Sequence, residues 1–419
     1  MSSRTNSVLD IECYTNYFLI VVKSLANGKI ATFERSDWTD FDVEQLVSVL
    51  RKYTIITFNG NRYDMLLLKG AIAGLDNAKL KEMSDNIIVN NIRAWDIESK
   101  YNLPQCKYID HIDLIDVAPG KASLKIYGGR LHSKRMQDLP IEPSAIIKQD
   151  ERIALTSYCI NDLDTTIDLY NKLSSQVDLR KKMGEELGMD LRSKSDAQIA
   201  ESVIKKQIEA IKGTKIYRPE LSDNYSFNYV PPKFIKFKHP ELVNALEVFK
   251  NEAFTLNEKG DAAEPEKVGK LKIKINQTVY QLGIGGIHSC EKKINYIAGA
   301  DYILVDRDVT SYYPNIILNQ RLYPKHIGTE FLTAYKTIVE KRIHAKRTGD
   351  KVTDASLKIV INSSFGKFGN RWSALYSPDL LIQTTVTGQL VLLMLIEALE
   401  ALGIQVVSAN TDGIVIYCH

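Results

Sequence analysis

The apolar positions at the start of the chain change period from segment to segment. Phe18 to Val22 and Ile30 to Phe33 read as strands, Val43 to Tyr53 as a helix, and Thr54 to Phe58 as a short buried strand. Strands alternating with helices up to about residue 185 predict a layered α/β fold. A helix is predicted over Asp196 to Lys212, with Ser195 as its cap, Gln198 three residues later, and Gly213 as its stop. Arg218 to Pro240 and Asn257 to Lys267 are rich in proline and charge and read as connectors or surface loops. From Gln277 onward the chain becomes compact again. A helix over Thr384 to Leu402 ends at Gly403. Gln405 to Ser408, the turn Asn410-Thr411-Asp412-Gly413 and Ile414 to Cys418 then make a hairpin. There is no internal repeat and no low-complexity tract.

Length and composition narrow this picture only a little. The 419 residues give room for two or three domains, and 44% hydrophobic with 25% charged residues is ordinary for a globular protein. A net charge of +3 is weak support for a polyanion partner, because nucleic-acid binding depends on where the cations sit. The five cysteines (Cys13, Cys106, Cys159, Cys290, Cys418) form no CxxC pair, which argues against a zinc site and for a reducing compartment. MSSRTNSVLDIE resembles neither a secretory signal nor an Arg-rich leader. The longest apolar stretch, Leu390 to Leu402, carries Glu397 and Glu400 and is too short to span a bilayer. The expectation is a cytoplasmic protein with no membrane partner.

Two groups of residues carry chemistry. Asp10 and Glu12 lie two apart, so on a strand both carboxylates point to one face. A pair of divalent ions about 3.5–4 Å apart needs more oxygen ligands than two. Asp64 ends Asn59-Gly60-Asn61-Arg62-Tyr63-Asp64, and Tyr158 stands one helical turn before Asp162. Such a tyrosine can orient a water while the aspartate holds metal. Taken singly, each has an ordinary reading: a solvated strand, a helix cap at Asp64, and a surface i,i+4 pair. Their order and spacing favour phosphodiester hydrolysis.

The second group begins with Asp308-Val309-Thr310-Ser311-Tyr312-Tyr313-Pro314, after the apolar strand Tyr302 to Val305. A carboxylate at the end of a buried strand suits a metal, and Tyr313 can stack under a sugar and exclude a 2′-hydroxyl. Taken alone, the segment reads better as a strand end followed by a Tyr-Pro turn. Lys358, Asn362 and Phe365 share about one face of a helix, where Lys358 can neutralise a triphosphate. The small Ser363 and Gly366 let a base pair approach, although an amphipathic helix with a glycine stop would look the same. Lys336, Lys341, Arg342, Lys346 and Arg347 crowd before the turn Thr348-Gly349-Asp350. Beside a candidate triphosphate site, such a run is more than a solvated face. Asp412 in the hairpin turn serves turn geometry, or supplies the second carboxylate of a two-metal site.

These segments resemble the motifs of family B DNA polymerases, in the family's order: the exonuclease motifs DxE, Nx(2–3)(F/Y)D and Yx3D, then polymerase motifs A, B and C. The resemblance implies an α/β and α+β multidomain fold, with an RNase H-like 3′–5′ exonuclease domain followed by a polymerase palm and helical fingers. It implies boundaries of 1–190 for the exonuclease, 191–300 for a connecting and N-terminal palm region, 301–330 for palm, 331–375 for fingers and 376–419 for palm.

Asp10, Glu12, Asp64 and Asp162 become ligands of one metal pair, with Tyr158 positioning water. Asp308 and Asp412 become ligands of another pair, the ions being Mg²⁺ or Mn²⁺, two per site. Asn59, Ser123 and Leu124 (in KASLKIYGG) would hold a single-stranded 3′ end. Ser311, Tyr312, Tyr313, Lys346, Lys358 and Asn362 would bind dNTPs, and Gly285, Gly286, Phe365 and Gly366 would meet primer-template DNA.

Five departures stand out. Cys13 replaces a common Thr, Tyr312 takes the Leu position of motif A, Phe365 replaces the motif B Tyr, Asn410 replaces the first Asp of motif C, and Gly283 replaces the Tyr of YxGG/A. The DxE near the start resembles the small polymerases of bacterial viruses, and the short motif spacings fit a conventionally primed enzyme. Because the chain stops seven residues after Asp412, a second chain supplying the thumb is one expectation. A freestanding exonuclease with an inactive polymerase remnant and a non-catalytic DNA-binding scaffold are the alternatives. On that reading the second hairpin strand would lack neighbours and expose an edge.

Overall fold

The computed structural model describes residues 4–120, 122–222, 224–291 and 294–419. The chain folds as two units, Met1–Ser195 and Asp196–His419. It is a mixed α/β multidomain protein, with a five-stranded mixed sheet in the first unit.

The first unit contains β1 (Thr5–Cys13), β2 (Phe18–Ser24), β3 (Ile30–Arg35), α1 (Val43–Lys52) and β4 (Tyr53–Thr57). It continues with α2 (Asp64–Ile72), α3 (Asn77–Ile88), α4 (Ala94–Lys100), β5 (Asp110–Asp113), α5 (Leu124–Leu131) and α6 (Arg152–Leu187). Its sheet runs β3-β2-β1-β4-β5, antiparallel through the first three strands and parallel through the last pairings. The alternation of β1 sorts its side chains into two layers. Leu9, Ile11 and Cys13 pack with Leu66, Leu67 and Met83 of α2 and α3. Val8, on the other face, packs with Leu155, Cys159 and Leu163 of α6. Asp10 and Glu12 share Val8's parity, so β1 turns both carboxylates towards α6.

The second unit opens with α7 (Asp196–Lys212), β6 (Ser226–Asn228), α8 (Pro240–Asn251), β7 (Ala253–Leu256), β8 (Ala262–Ala263) and α9 (Glu266–Gly269). It continues with β9 (Lys272–Ile275), β10 (Thr278–Gln281), β11 (His288–Ser289), β12 (Ile303–Asp308) and α10 (Tyr312–Asn319). It ends with α11 (Glu330–Thr348), α12 (Lys351–Phe368), α13 (Pro378–Ala401), β13 (Gln405–Asn410) and β14 (Gly413–Cys418). A six-stranded sheet runs β12-β14-β13-β11-β10-β9, and β6-β7-β8 form a small separate one. Val386, Leu390, Leu393 and Ile396 of α13 pack on Tyr280, Val406 and Ile414 of the large sheet. At the α11–α12 turn Gly349 takes φ 76°, and Asp350 caps α12 by accepting a hydrogen bond from the Thr353 amide at 3.1 Å.

Four expectations change. The helix before the hairpin starts at Pro378 rather than Thr384, because Pro378 takes the first position of the helix, where its missing N–H costs nothing. Both charged connectors contain structure: β6 in the first, β8 and α9 in the second. β14 is not left without neighbours, since it pairs with β13 on one side and with β12 across Ile303↔Cys418 to Asp308↔Gly413 on the other. The edge is β12 itself, so the strand leading to Asp308 is exposed rather than buried, with Tyr302, Ile303 and Leu304 open to solvent. By length and composition α13 is apolar enough to cross a membrane, but 67% of its most apolar window is buried inside the fold.

Two candidate catalytic sites

In the first unit, β1, α2 and α6 each deliver carboxylates to one place. Asp64 is the first residue of α2 and is not its cap; that position belongs to Tyr63. The approach to Asp64 is a tight turn in which Asn59 adopts the left-handed conformation at φ 67°. Gly60 follows it so close to β4 that a Cβ there would lie 2.0 Å from Thr57 Oγ1. Asp113, at the end of β5 and only 1% exposed, pins this turn. Its carboxylate accepts from the amides of Asn59 (2.8 Å), Asn61 (2.9 Å) and Ile115 (3.1 Å).

α6 places Tyr158 and Asp162 one turn apart, with the tyrosine hydroxyl hydrogen-bonded to the Asp162 carboxylate. Cys159, between them, donates its thiol to Asp10 Oδ2 at 3.4 Å. Ligand atoms of Asp10, Glu12 and Cys159 all lie within 4.8 Å of one another.

The electrostatics follow from this crowding. Burial, then the charge of Asp162, lifts the Asp10 carboxyl from 3.8 to about 7. Burial and then Asp10 push Glu12 and Asp64 well above the usual carboxylate range. Asp162 is also raised, chiefly by burial. Asp64 Oδ1 is buried without a hydrogen-bond partner. An orphaned oxygen among acids that repel one another suits a cation, and a hard divalent ion fits this donor set. A cleft of about 650 Å³ opens beside Asp10 and Asp64, lined also by Phe58, Asn59, Arg62 and Arg93. Ser123 and Leu124 do not line it. Ser123 caps α5 by accepting from the Ile126 amide, and Leu124 packs on the layer beneath α6. Cys13 sits in the apolar layer with Leu9 and Ile11.

In the second unit, strand register brings Asp308 and Asp412 together. Asp308 stands opposite Gly413 in the β12–β14 ladder, and a Cβ on Gly413 would lie 2.2 Å from Asp308 Oδ1. The Val309 amide donates to the Asp412 carbonyl at 2.9 Å. Burial, then Asp308, raises the Asp412 carboxyl. Two left-handed non-glycine residues flank the pair, Ser311 at φ 51° and Thr411 at φ 55°. A cleft of about 470 Å³ gathers both aspartates with Tyr313, Lys358, Asn362 and Phe365. Tyr313 and Phe365 stack with centroids 4.6 Å apart.

Ser311 and Tyr312 also line the cleft, but Tyr312 is 7% exposed and donates its hydroxyl to the Gly388 carbonyl of α13 at 2.6 Å. Lys346, Gly366, Gly285 and Gly286 do not line it. Arg342 does, held by Asp354 at 3.2 Å, and Asn410 accepts from the Thr411 hydroxyl at 3.1 Å.

Sequence reasoning missed two positioning residues. Asp113 belongs to a run, Asp110-His111-Ile112-Asp113, that looks like any half-solvated strand. Gln389 is 1% exposed in α13 and clamps the glycine loop. Its amide donates to the carbonyls of Gly283 (2.8 Å) and Gly285 (2.7 Å) and accepts from the Gly283 amide (3.2 Å). That loop reaches the hairpin turn where the Thr411 amide donates to the Ile287 carbonyl at 2.8 Å. The only signal was a glutamine in the middle of an apolar helix.

No protein-family model and no curated protein matches the sequence. The fold is similar to that of the family B DNA polymerase from the hyperthermophilic archaeon Pyrobaculum calidifontis, with a TM-score of 0.53 and 16% identity over 99% of this chain. The match covers 53% of the archaeal chain, so this protein spans about half the length of that polymerase.

Proposed function

We propose that the protein is a template-directed DNA polymerase of the family B type with a 3′–5′ proofreading exonuclease, acting on primer-template DNA and dNTPs. The observation that carries this reading is the strand register that sets Asp308 beside Asp412 in one cleft with Tyr313, Lys358 and Asn362. The first unit would be the exonuclease. Asp10, Glu12, Asp64 and Asp162 would hold divalent ions there, and Asp308 with Asp412 would hold them in the second unit, where the region around α11 and α12 corresponds to fingers. Bound Mg²⁺ or Mn²⁺ would supply a more acidic water in the first site and charge stabilisation in both.

The chain's own residues account for the rest. Tyr158, hydrogen-bonded to Asp162, orients the water, and Asn59 meets the 3′ end in the cleft. Tyr313, braced by Phe365, floors the sugar site and leaves no room for a 2′-hydroxyl. Lys358 and Arg342 neutralise the triphosphate, with Arg342 aimed by Asp354.

The test is primer extension and degradation of a labelled single strand, run side by side with Mg²⁺. Asp308→Ala should abolish extension and leave degradation intact, whereas Asp10→Ala with Glu12→Ala should do the reverse. Degradation that survives the second pair of substitutions would overturn the exonuclease assignment. Absence of extension beside normal degradation would favour a freestanding exonuclease, which the uncharged Asn410 makes the specific second reading.

A further inference from the structure

A cationic and aromatic surface on the second unit shares no residue with the lining of either cleft. Trp372 follows the end of α12 and is 58% exposed. The guanidinium of Arg218 lies 4.6 Å from its ring centroid, and that of Arg371 lies 5.3 Å from it. Two like charges are thus held about one indole ring. Neither arginine meets a carboxylate within salt-bridge distance among the described residues; Arg371 donates instead to the Glu258 carbonyl at 3.1 Å. Tyr217, next to Arg218 in the chain, is 72% exposed, and Lys205 Nζ sits 5.8 Å from its ring and 3.8 Å from the Glu209 carboxylate. Cations and exposed rings therefore interleave along one patch built from α7, the segment after it and the turn after α12.

The ring attracts each guanidinium, but nothing described on the patch neutralises the pair. An anion is what such a pair lacks, and a phosphate suits the planar fork of arginine best. Large exposed aromatic faces beside the phosphate sites call for a ligand that is itself aromatic and unpaired. Single-stranded nucleic acid combines both features, since sequence-tolerant binding of it rests on basic tracks with stacking platforms. A duplex would offer phosphates but keep its base faces hidden.

We propose that Arg218, Arg371, Trp372, Tyr217 and Lys205 form a binding surface for single-stranded nucleic acid. The arginines contact phosphates, and bases stack on the open parts of Trp372 and Tyr217. This surface is independent of the catalytic roles assigned above, and its test needs no turnover.

Binding of fluorescein-labelled oligo(dT) to the full chain, followed by anisotropy in EDTA across a salt series, decides the matter. Wild type and Arg218→Gln/Arg371→Gln are compared, so binding in the two clefts cancels. Losing two phosphate contacts should flatten the plot of log affinity against log salt by about 1.4, at roughly 0.7 per phosphate for a single strand. Trp372→Ala should weaken oligo(dT) binding about fivefold or more, in line with one lost stacked base. The same variant should leave an abasic strand of equal length and a duplex unaffected, and Trp372→Phe should restore most of the loss. If the double variant fails to fold, each arginine replaced singly should give half the change in slope. Unchanged affinity and slope with a lowered melting temperature would make the stack a structural brace and overturn the proposal. Equal competition by polyglutamate would also overturn it, pointing to an acidic protein partner instead.

Discussion

Asp10→Asn should make the metal-free protein more stable at alkaline pH while abolishing the exonuclease activity proposed for it. Asp10 faces α6 among Glu12, Asp64 and Asp162, and its carboxyl is raised from 3.8 to about 7. A folded-state value above the unfolded one means the folded chain holds a proton that the unfolded chain has already released. Stability from this group therefore falls as pH rises from about 4 to about 7, and the full penalty applies above that. At about 1.4 kcal/mol per unit, the ionised Asp10 costs about 4 kcal/mol. Asp10 keeps a solvent-facing edge and its three acidic neighbours still repel one another after the substitution, so a net gain of about 2 kcal/mol is expected.

For a unit of this size that gain is about 4–8 °C in melting temperature at pH 8 in EDTA, with a smaller gain at pH 5. Saturating Mg²⁺ should reverse the order, because a cation bound by the native site stabilises wild type by mass action and finds a poorer site in the variant. Calorimetry at the two pH values, with and without Mg²⁺, reads all four states. A variant less stable than wild type at pH 8 in EDTA, or an equal gain at both pH values, would refute the idea that charge repulsion strains this site.

Three further outcomes follow from the geometry. Asp113→Asn should cost about 2–3 kcal/mol in urea unfolding, since at least one of the Asn59, Asn61 and Ile115 amides loses its acceptor in a buried place. Single-strand degradation should fall with it while primer extension holds. Gln389→Leu should cost a similar 2–3 kcal/mol by leaving the Gly283 amide and two loop carbonyls unpaired, and should slow primer extension without touching degradation. Asn410→Asp adds a carboxylate beside Asp412, so the Mg²⁺ concentration that half-saturates extension should fall severalfold. An unchanged Mg²⁺ titration would show that carboxylate to be dispensable.

Much of the site architecture was legible because its carriers obey simple periodicities. The i,i+2 spacing of Asp10 and Glu12 placed both on one face of a strand, and the i,i+4 spacing of Tyr158 and Asp162 fitted one face of α6. The hairpin around Asp412 was announced by Asn, Asp and Gly between β-branched runs. What stayed hidden depends on contacts between distant segments. The exposure of β12 follows from its place at the sheet edge, and apolar composition alone cannot distinguish an edge strand from a central one. Asp113 acts through three amides that no local pattern connects to it. Arg342 was one cation in a run of five until the fold put it, rather than Lys346, on the cleft wall beside Lys358.

The left-handed turns at Asn59, Ser311 and Thr411 bear on how the protein could be altered. Each holds a side chain with a Cβ in a conformation that costs a non-glycine residue energy, least at Asn59, whose short amide tolerates it, and each lies in a turn beside or leading to a carboxylate assigned to catalysis. Glycine would sit there more comfortably, so a screen that selects only for heat resistance would be drawn to these three positions. The variants it recovered would have slacker hinges beside Asp64, Asp308 and Asp412. A search for a hardier form should therefore leave these positions fixed and look for its gains elsewhere in the chain.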